Sequence, residues 1–333
     1  MMQKEIVQPV SADTGAIEQF AENPSPCATL TPSAETRYQK AMEQTDNYHC
    51  RYNPSYALLD NAEPAPVIPA ALFRNGCPAT HTDEKHAGTI TRAMASVLRL
   101  SGLTDTRPAR FLLLTPPPSS RHPSSPYNEY DTPRFPELTQ FAPVKECVTA
   151  VFSDGQPNTV LAWAVLMEWA QKCDPVYLFA AAHHAVQFAQ HSPAPFALKG
   201  DIRILSSHGR SSHRRIITDK LPQTLLAPSV IIREIYSTPA HPLHYISCQE
   251  GHFHIPQFAR FMLVGENGYP AAEGNTGLLQ LNTPLLTPLP AQRLLTTDVC
   301  EQGTGCACGS MLPWIYFRGS ITARDSFSGD EIG

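Results

Sequence analysis

Cysteine and histidine recur at close spacing in two stretches of the chain. Tyr245-Ile-Ser-Cys248-Gln-Glu-Gly-His252-Phe-His254-Ile-Pro256 is followed by Cys300-Glu-Gln-Gly-Thr-Gly-Cys306-Ala-Cys308-Gly309. Structural zinc takes four thiolate or imidazole ligands in a tetrahedron, and two short ligand pairs on separate loops can clip a hairpin-rich segment together. Cys248, His254, Cys306 and Cys308 make a set of three thiols and one imidazole, with His252 as the competing imidazole. In an extended Gly-His-Phe-His-Ile stretch, side chains two apart share a face, so His252 and His254 both point the way Cys248 lies. The same residues also read as a buried thiol, two surface histidines and a Gly-Cys turn, because Cys-x-Cys is less specific than paired Cys-x-x-Cys.

The chain that must position these residues has 333 residues, enough for one large domain or two ordinary ones. No apolar run reaches the 18 or so residues of a membrane-spanning helix, and the start, Met1-Met-Gln-Lys-Glu-Ile-Val, lacks the apolar core of a secretory signal. A cytoplasmic location is expected. Nine cysteines, an odd number without a dense framework, fit reduced thiols or metal ligands better than a disulfide scaffold. A net charge of −5 carries no polybasic signature for nucleic acid or membrane. The one basic cluster, His208-Gly-Arg-Ser-Ser-His-Arg-Arg215, reads as a solvated loop. Thirty-two prolines imply many irregular connections and few long helices.

Residues 1–35 read as a loosely held leader, and a helix is expected from Ala34 to Thr45 with Ser33 as N-cap. A second helix, capped by Thr82 or Asp83, runs to Arg99 with Ile90, Met94, Val97 and Leu98 at helical spacing. Ala109 to Thr115 is a short apolar run bounded by prolines, the pattern of a buried strand. Val148 to Phe152 reads as another strand, Asn158 to Lys172 as a helix, and Tyr177 opens a strand-to-helix unit through His191. Asp201 to Ser207 and Ile231 to Tyr236 complete the strands of an α/β layer with parallel pairing. After Tyr245 the pattern changes: Phe258 to Val264, Gly277 to Leu281 and Trp314 to Phe317 lie between Gly and Pro turns and read as a β-meander or small barrel. The division expected is a 36–244 α/β core, a 245–325 β-rich portion with the Cys/His clip and a 326–333 tail. His183-His184 and His241/His244 raise a different metalloenzyme reading, but adjacent positions on a helix face different ways.

Read together, several segments resemble the LuxE-type acyl-protein synthetases and their phenylacetate-CoA-ligase-like relatives in the adenylate-forming superfamily. They are Cys248-Gln-Glu-Gly-His-Phe-His-Ile-Pro256, Glu273-Gly-Asn-Thr-Gly-Leu-Leu-Gln-Leu281, Leu294-Leu-Thr-Thr-Asp298-Val, Cys306-Ala-Cys-Gly309 and Phe317-Arg-Gly319, with Asn53-Pro-Ser-Tyr56, Ile68 to Arg74 and Ser207-His-Gly-Arg210 upstream. The similarity covers residues 35–325. It implies an α/β, adenylate-forming-type large domain of mixed sheet layers with helices plus a β-rich, zinc-clipped portion. It also implies a ligase or acyltransferase of carboxylic or fatty acid metabolism that binds ATP and Mg, forms an acyl-adenylate and passes the acyl group to a thiol. The acceptor is coenzyme A, an acyl carrier protein, a partner enzyme or a cysteine of the chain itself.

The resemblance places Asp298, with Thr297 beside it, at the ribose, Arg318 at the hinge, and Tyr236 with the Gly209 loop at the carboxylate; Cys77 is the candidate acyl acceptor. His254, before Ile255, matches the family's zinc imidazole. The chain departs from the pattern elsewhere. The phosphate loop is replaced by Phe73-Arg-Asn-Gly76-Cys77-Pro78-Ala-Thr80, where proline removes one backbone donor. Ala240 stands where the magnesium carboxylate belongs, Ser310 replaces an arginine, Arg318 precedes Gly319 where glycine usually comes first, and no small C-terminal domain with a catalytic lysine follows before Gly333. Two functions are therefore expected as alternatives: an acyl-activating or acyl-transferring enzyme, or a catalytically silent, zinc-stabilised homologue acting as a binding module.

Overall fold

The computed structural model describes residues 68–69, 94–95, 97–98, 101–115, 138–153, 155–208, 211–238, 241–255, 259–265, 269–272, 274–282 and 294–320. The expected leader, the 34–45 helix, Cys77, Gly209 and Ala240 lie outside these residues. Of the 82–99 helix, Met94, Ala95, Val97 and Leu98 are described, and they are helical.

In chain order the first part contains β1 (Ile68–Pro69), β2 (Ala109–Leu114), β3 (Val144–Thr149), β4 (Phe152–Ser153), β5 (Gln156–Pro157), α1 (Thr159–Trp169), β6 (Val176–Ala180) and α2 (Ala182–Gln190). Then come β7 (Phe196–Ala197), β8 (Ile202–Ser207), α3 (Ser211–Thr224), β9 (Leu225–Leu226), β10 (Val230–Thr238) and β11 (His241–Ile246). Six strands form one sheet in the order β11-β10-β8-β6-β2-β3, parallel except for the β10–β11 pair.

The three middle strands are apolar along nearly their whole length because both faces of the sheet are covered. Alternation sorts their side chains. Leu112, Leu114, Val176, Leu178, Ile202 and Ile204 pack with α1, α2 and α3 on one face. Phe111, Tyr177, Phe179 and Leu205 pack with Leu98 and Phe141 on the other. Asn158 caps α1 by accepting the Leu161 amide at 3.1 Å. Trp163 on α1 stacks on Phe188 of α2 at 3.9 Å and donates its indole N–H to the Phe188 carbonyl at 3.0 Å, which fixes the two helices together.

Two local expectations shift. The strand expected at Val148 to Phe152 is β3, which begins at Val144; it is an exposed edge strand whose polar residues blur the apolar signal, and Phe152 belongs to the two-residue β4. The basic cluster expected as a loop leads into α3. That helix buries only Ile217 and Leu221 of its apolar side chains and carries Pro222 inside it, so its stripe is too narrow to register as a helix in the sequence.

The second sheet holds β12 (Phe253–His254), β13 (Arg260–Val264), β14 (Thr276–Asn282), β15 (Leu294–Gly303) and β16 (Trp314–Ser320). Its order, β12-β16-β15-β14-β13, is antiparallel and makes β13 to β16 the expected meander; β1 adds to β15 in parallel. Its core joins Phe253, Leu263, Leu279, Leu281, Cys300 and Ile315 to Tyr236 and Tyr245 of the first sheet. Burial of those two tyrosines under the meander locks the sheets to each other.

Candidate metal centre and the Tyr236–Asp298 cluster

The Sγ atoms of Cys248, Cys306 and Cys308 and a ring nitrogen of His254 all lie within 4.8 Å of one another. Cys248 follows β11 and closes a tight turn: its amide donates to the His252 carbonyl at 2.8 Å, and Gly251 donates back to Cys248 at 3.0 Å. Gly251 has φ +81°, and a side chain there would run into the Arg214 guanidinium. In the second loop Gly309, at φ +90°, donates to the Cys306 carbonyl at 2.9 Å. Each turn thus demands a glycine to bring its sulfur inward.

Bond lengths of about 2.0–2.3 Å around tetrahedral zinc place neighbouring ligand atoms about 3.5–3.8 Å apart. Cys248 Sγ and Cys306 Sγ are separated by 3.8 Å, and His254 Nε2 and Cys308 Sγ by 3.1 Å. His254 Nδ1 lies 3.3 Å from the Leu312 carbonyl. Donation there puts the proton on Nδ1 and leaves the Nε2 lone pair facing the sulfurs, the arrangement of a metal-ligating imidazole.

The charges point the same way. Burial pushes the Cys248 thiol up, but hydrogen bonds from His254 and from nearby backbone amides outweigh it and hold Cys248 at about 6. Burial, together with the neighbouring sulfurs of Cys308 and Cys248, pushes Cys306 up to about 12. Without a cation the cluster holds one thiolate easily and resists the next. A divalent ion removes that conflict, so the donor set fits zinc.

The second cluster lies beyond the carboxyl ends of the parallel strands, where open α/β sheets bind ligands. Tyr236, one residue past the Ile235–Ser207 pair of β10 and β8, donates its hydroxyl to Asp298 Oδ2 at 2.6 Å. Tyr236 is 1% exposed, and burial followed by the Asp298 charge pushes its phenol well above the usual range.

Asp298 does not occupy a simple turn. It sits within β15 where the ladder to β14 breaks, since Leu278 pairs with Val299 and Gln280 with Leu295. Thr296 fills the gap by donating its hydroxyl to the Leu279 carbonyl at 3.0 Å and accepting the Asp298 amide at 3.1 Å. The bulge re-aims the carboxylate towards Tyr236. His208 completes the cluster with its ring 5.0 Å from Tyr236 and 4.3 Å from Phe317. Its Nδ1 is buried and has no hydrogen-bond partner among the described residues. Burial pulls the imidazole below its usual range, with Asp298 opposing the shift.

The structure therefore brings together Tyr236 and Asp298, and separately Cys248, His254, Cys306 and Cys308. Thr297 is half-buried next to Asp298, but Thr296 makes the bonds that shape the bulge. Arg318 is the unpaired extra residue of β16 opposite Val299 and Cys300; its guanidinium pairs with Glu301 and lies over the Tyr316 ring at 4.7 Å. The sequence assigned no role of their own to Thr296 and His208, which entered only as a residue flanking Asp298 with Thr297 and as part of Ser207-His-Gly-Arg210. The adjacent histidines expected to diverge do not: the rings of His183 and His184 are 3.9 Å apart, with His184 buried between the Leu114 and Gly155 carbonyls.

No protein-family model and no curated protein matches the sequence. Solved structures do match. 2-Hydroxyisobutyryl-CoA ligase, in complex with 2-HIB-AMP and CoA in the thioesterification state, shares 13% identity at a TM-score of 0.53, over 93% of this chain and 67% of that one. Its open conformation, with the same ligands, gives a TM-score of 0.52 over 93% and 69%. Mycobacterium smegmatis MbtA shares 13% identity at a TM-score of 0.44, over 70% of this chain and 42% of its own length. The chain spans less than half of the latter protein. At these identities the likeness establishes the fold alone, which the chain shares with 2-hydroxyisobutyryl-CoA ligase.

Proposed function

We propose that this chain activates or transfers an acyl group, holding a carboxylic acid as its acyl-adenylate for delivery to a thiol. The observation that carries this reading is the Tyr236–Asp298 pair at the carboxyl ends of the parallel strands, in a fold whose solved relatives include a CoA ligase with a bound acyl-adenylate. ATP, when bound, supplies the adenylyl group that turns a carboxylate into a reactive mixed anhydride. Asp298 is the group that would hold the ribose, because a carboxylate accepts from both hydroxyls of a diol. Tyr236 would yield its place on Asp298 to those hydroxyls. Thr297, Gly209 and Arg318 are proposed to border the nucleotide, and Cys77 to take the acyl group. Ala240 offers no donor for magnesium, so no magnesium chemistry is assigned there.

The zinc clip would tie the turn at Cys248 to the loop at Cys306 within the 245–325 portion, which is proposed here as a functional part distinct from the 36–244 core. The acids in view are carboxylic or fatty acids, and the acceptors coenzyme A, an acyl carrier protein or a partner enzyme. The free thiols of Cys248, Cys306 and Cys308 suit a reducing compartment, and a cytoplasmic location is proposed on that basis. Among the described residues no helix is long and apolar enough to cross a membrane.

A second reading, a silent binding module, is favoured by two features. The Tyr236 hydroxyl already satisfies Asp298, and the magnesium position carries an alanine. Calorimetric titration of metal-quantified protein with ATP-Mg and with a non-hydrolysable acyl-sulfamoyl adenosine separates the two. Tight binding of the mimic, lost in Asp298→Ala, supports the enzyme. Metal-loaded protein that binds neither ligand leaves the binding module.

A further inference from the structure

Four side chains complete the candidate metal set, and His252 is left over beside it. Its ring lies flat on the Trp314 indole, with centroids 3.9 Å apart and planes 6° from parallel. Trp314 is itself held in place: its Nε1 donates to the Gly305 carbonyl at 2.8 Å, and Gly303 leaves room for the ring, where any Cβ would overlap it. The stack aims His252 Nδ1 at Cys306 Sγ, 3.3 Å away. A metal-bound thiolate only accepts, so the proton of this contact belongs to His252 Nδ1 and the bond is N–H···S.

Arg233 approaches the cluster from β10. Ile235 pairs with Ile246, and the Ser247 amide donates to the Glu234 carbonyl at 2.9 Å. Continued one step outward, that register sets Arg233 opposite Cys248. Directly opposed residues share a face with Cβ atoms about 4.5–5.5 Å apart, so Arg233 emerges beside that sulfur. The guanidinium folds back onto the Ile232 carbonyl at 2.8 Å and stays half-buried. Burial opposes its charge, and the Cys248 and Cys308 charges support it. Three thiolates and a neutral imidazole around a divalent ion carry one net negative charge, which a nearby cation offsets at a half-buried site.

We propose that His252 and Arg233 are positioning residues of a zinc centre ligated by Cys248, His254, Cys306 and Cys308. His252 donates N–H···S to Cys306, and Arg233 supplies the counter-charge beside Cys248. Together they make the metal slow to exchange and its thiolates slow to react with electrophiles. This rests on the zinc reading of the cluster.

The test uses the zinc-loaded full chain, with zinc release followed in a chromogenic chelator and under dilute hydrogen peroxide, and cobalt(II) absorption as the spectroscopic readout. Metal content of the wild-type protein is measured first. His252→Ala and Arg233→Met are expected to keep one metal per chain but release it about tenfold to a hundredfold faster, the usual effect of losing an outer-shell partner. In His252→Ala the thiolate-to-cobalt band moves to lower energy. His252→Asn, whose amide N–H sits where the imidazole Nδ1–H was, restores both the band and the release rate. An emptied site in His252→Ala with a retained one in His254→Ala makes His252 the ligand and overturns the proposal. Unchanged release and unchanged spectra in both variants overturn it as well. Wild-type protein that holds no metal removes the zinc reading and this inference together.

Discussion

The Tyr236 hydroxyl meets the Asp298 carboxylate across 2.6 Å, and through that bond the last long strand of the parallel sheet is tied to a bulge in the meander. Tyr236→Phe removes the donor and keeps the ring, so it is expected to destabilise the chain by about 1–2 kcal/mol. Because ribose hydroxyls compete for the same oxygen, the variant should also bind an acyl-sulfamoyl adenosine more tightly than wild type, whereas Asp298→Ala binds it least. Urea unfolding and calorimetry read the two effects separately.

On the zinc reading, removal of the metal is expected to loosen the clip between the turn at Cys248 and the loop at Cys306. Cys248→Ser, Cys306→Ser, Cys308→Ser and His254→Ala should each lose bound metal and lower the thermal midpoint by several degrees, because binding free energy at a site made only on folding is folding free energy. Chelation of the wild type should reproduce the drop and leave the variants unmoved. Elemental analysis alongside thermal scans checks both.

His184 makes stability depend on pH. Burial, then the His183 charge, pulls its imidazole down to about 4 from the usual 6.5 or so, against the Gly155 and Leu114 carbonyls, which lie 3.2 Å from its two ring nitrogens and favour the proton. The folded value lies below the unfolded one, so the unfolded chain takes up a proton first. This contribution is complete above about pH 6.5 and is lost as the pH falls towards 4. His184→Gln is expected to be less stable at pH 7.5 and to show a flatter decline through that window. Urea midpoints at several pH values test the slope.

At the opposite end of the sheet Asp105 receives Arg203 at 3.0 Å and Arg107 at 2.8 Å, and the Arg203 guanidinium, 9% exposed, lies over the Tyr177 ring. The hydrogen bond from Arg107 is the main reason the Asp105 carboxyl sits well below the usual carboxylate range. Asp105→Ala leaves the Arg203 charge buried without its partner and is expected to cost about 3–5 kcal/mol. Asp105→Ala with Arg203→Met should recover part of that loss, as measured by chemical denaturation.

Much of this architecture is written locally. The apolar runs that became β2, β6 and β8 need only their own composition to mark them as strands covered on both faces, and Asn158 announces the start of α1. Cysteine and histidine spacing picked out the four side chains that the fold gathers within 4.8 Å, because metal-ligand chemistry permits few residue types. Contacts between distant segments had no such signature. The different surroundings of His254 and His252 come from the Leu312 carbonyl, 58 residues on in a loop, and from the Trp314 stack on β16. Asp298 reaches Tyr236 because β14 and β15 fall out of register, and no periodicity in either strand records that slip. α3 stayed hidden because its stability comes from packing Ile217 and Leu221 on the sheet, not from a broad apolar face of its own. Side-chain type and short-range period are properties of the chain, whereas register, bulges and the pairing of strands far apart in sequence exist only once the sheets have formed.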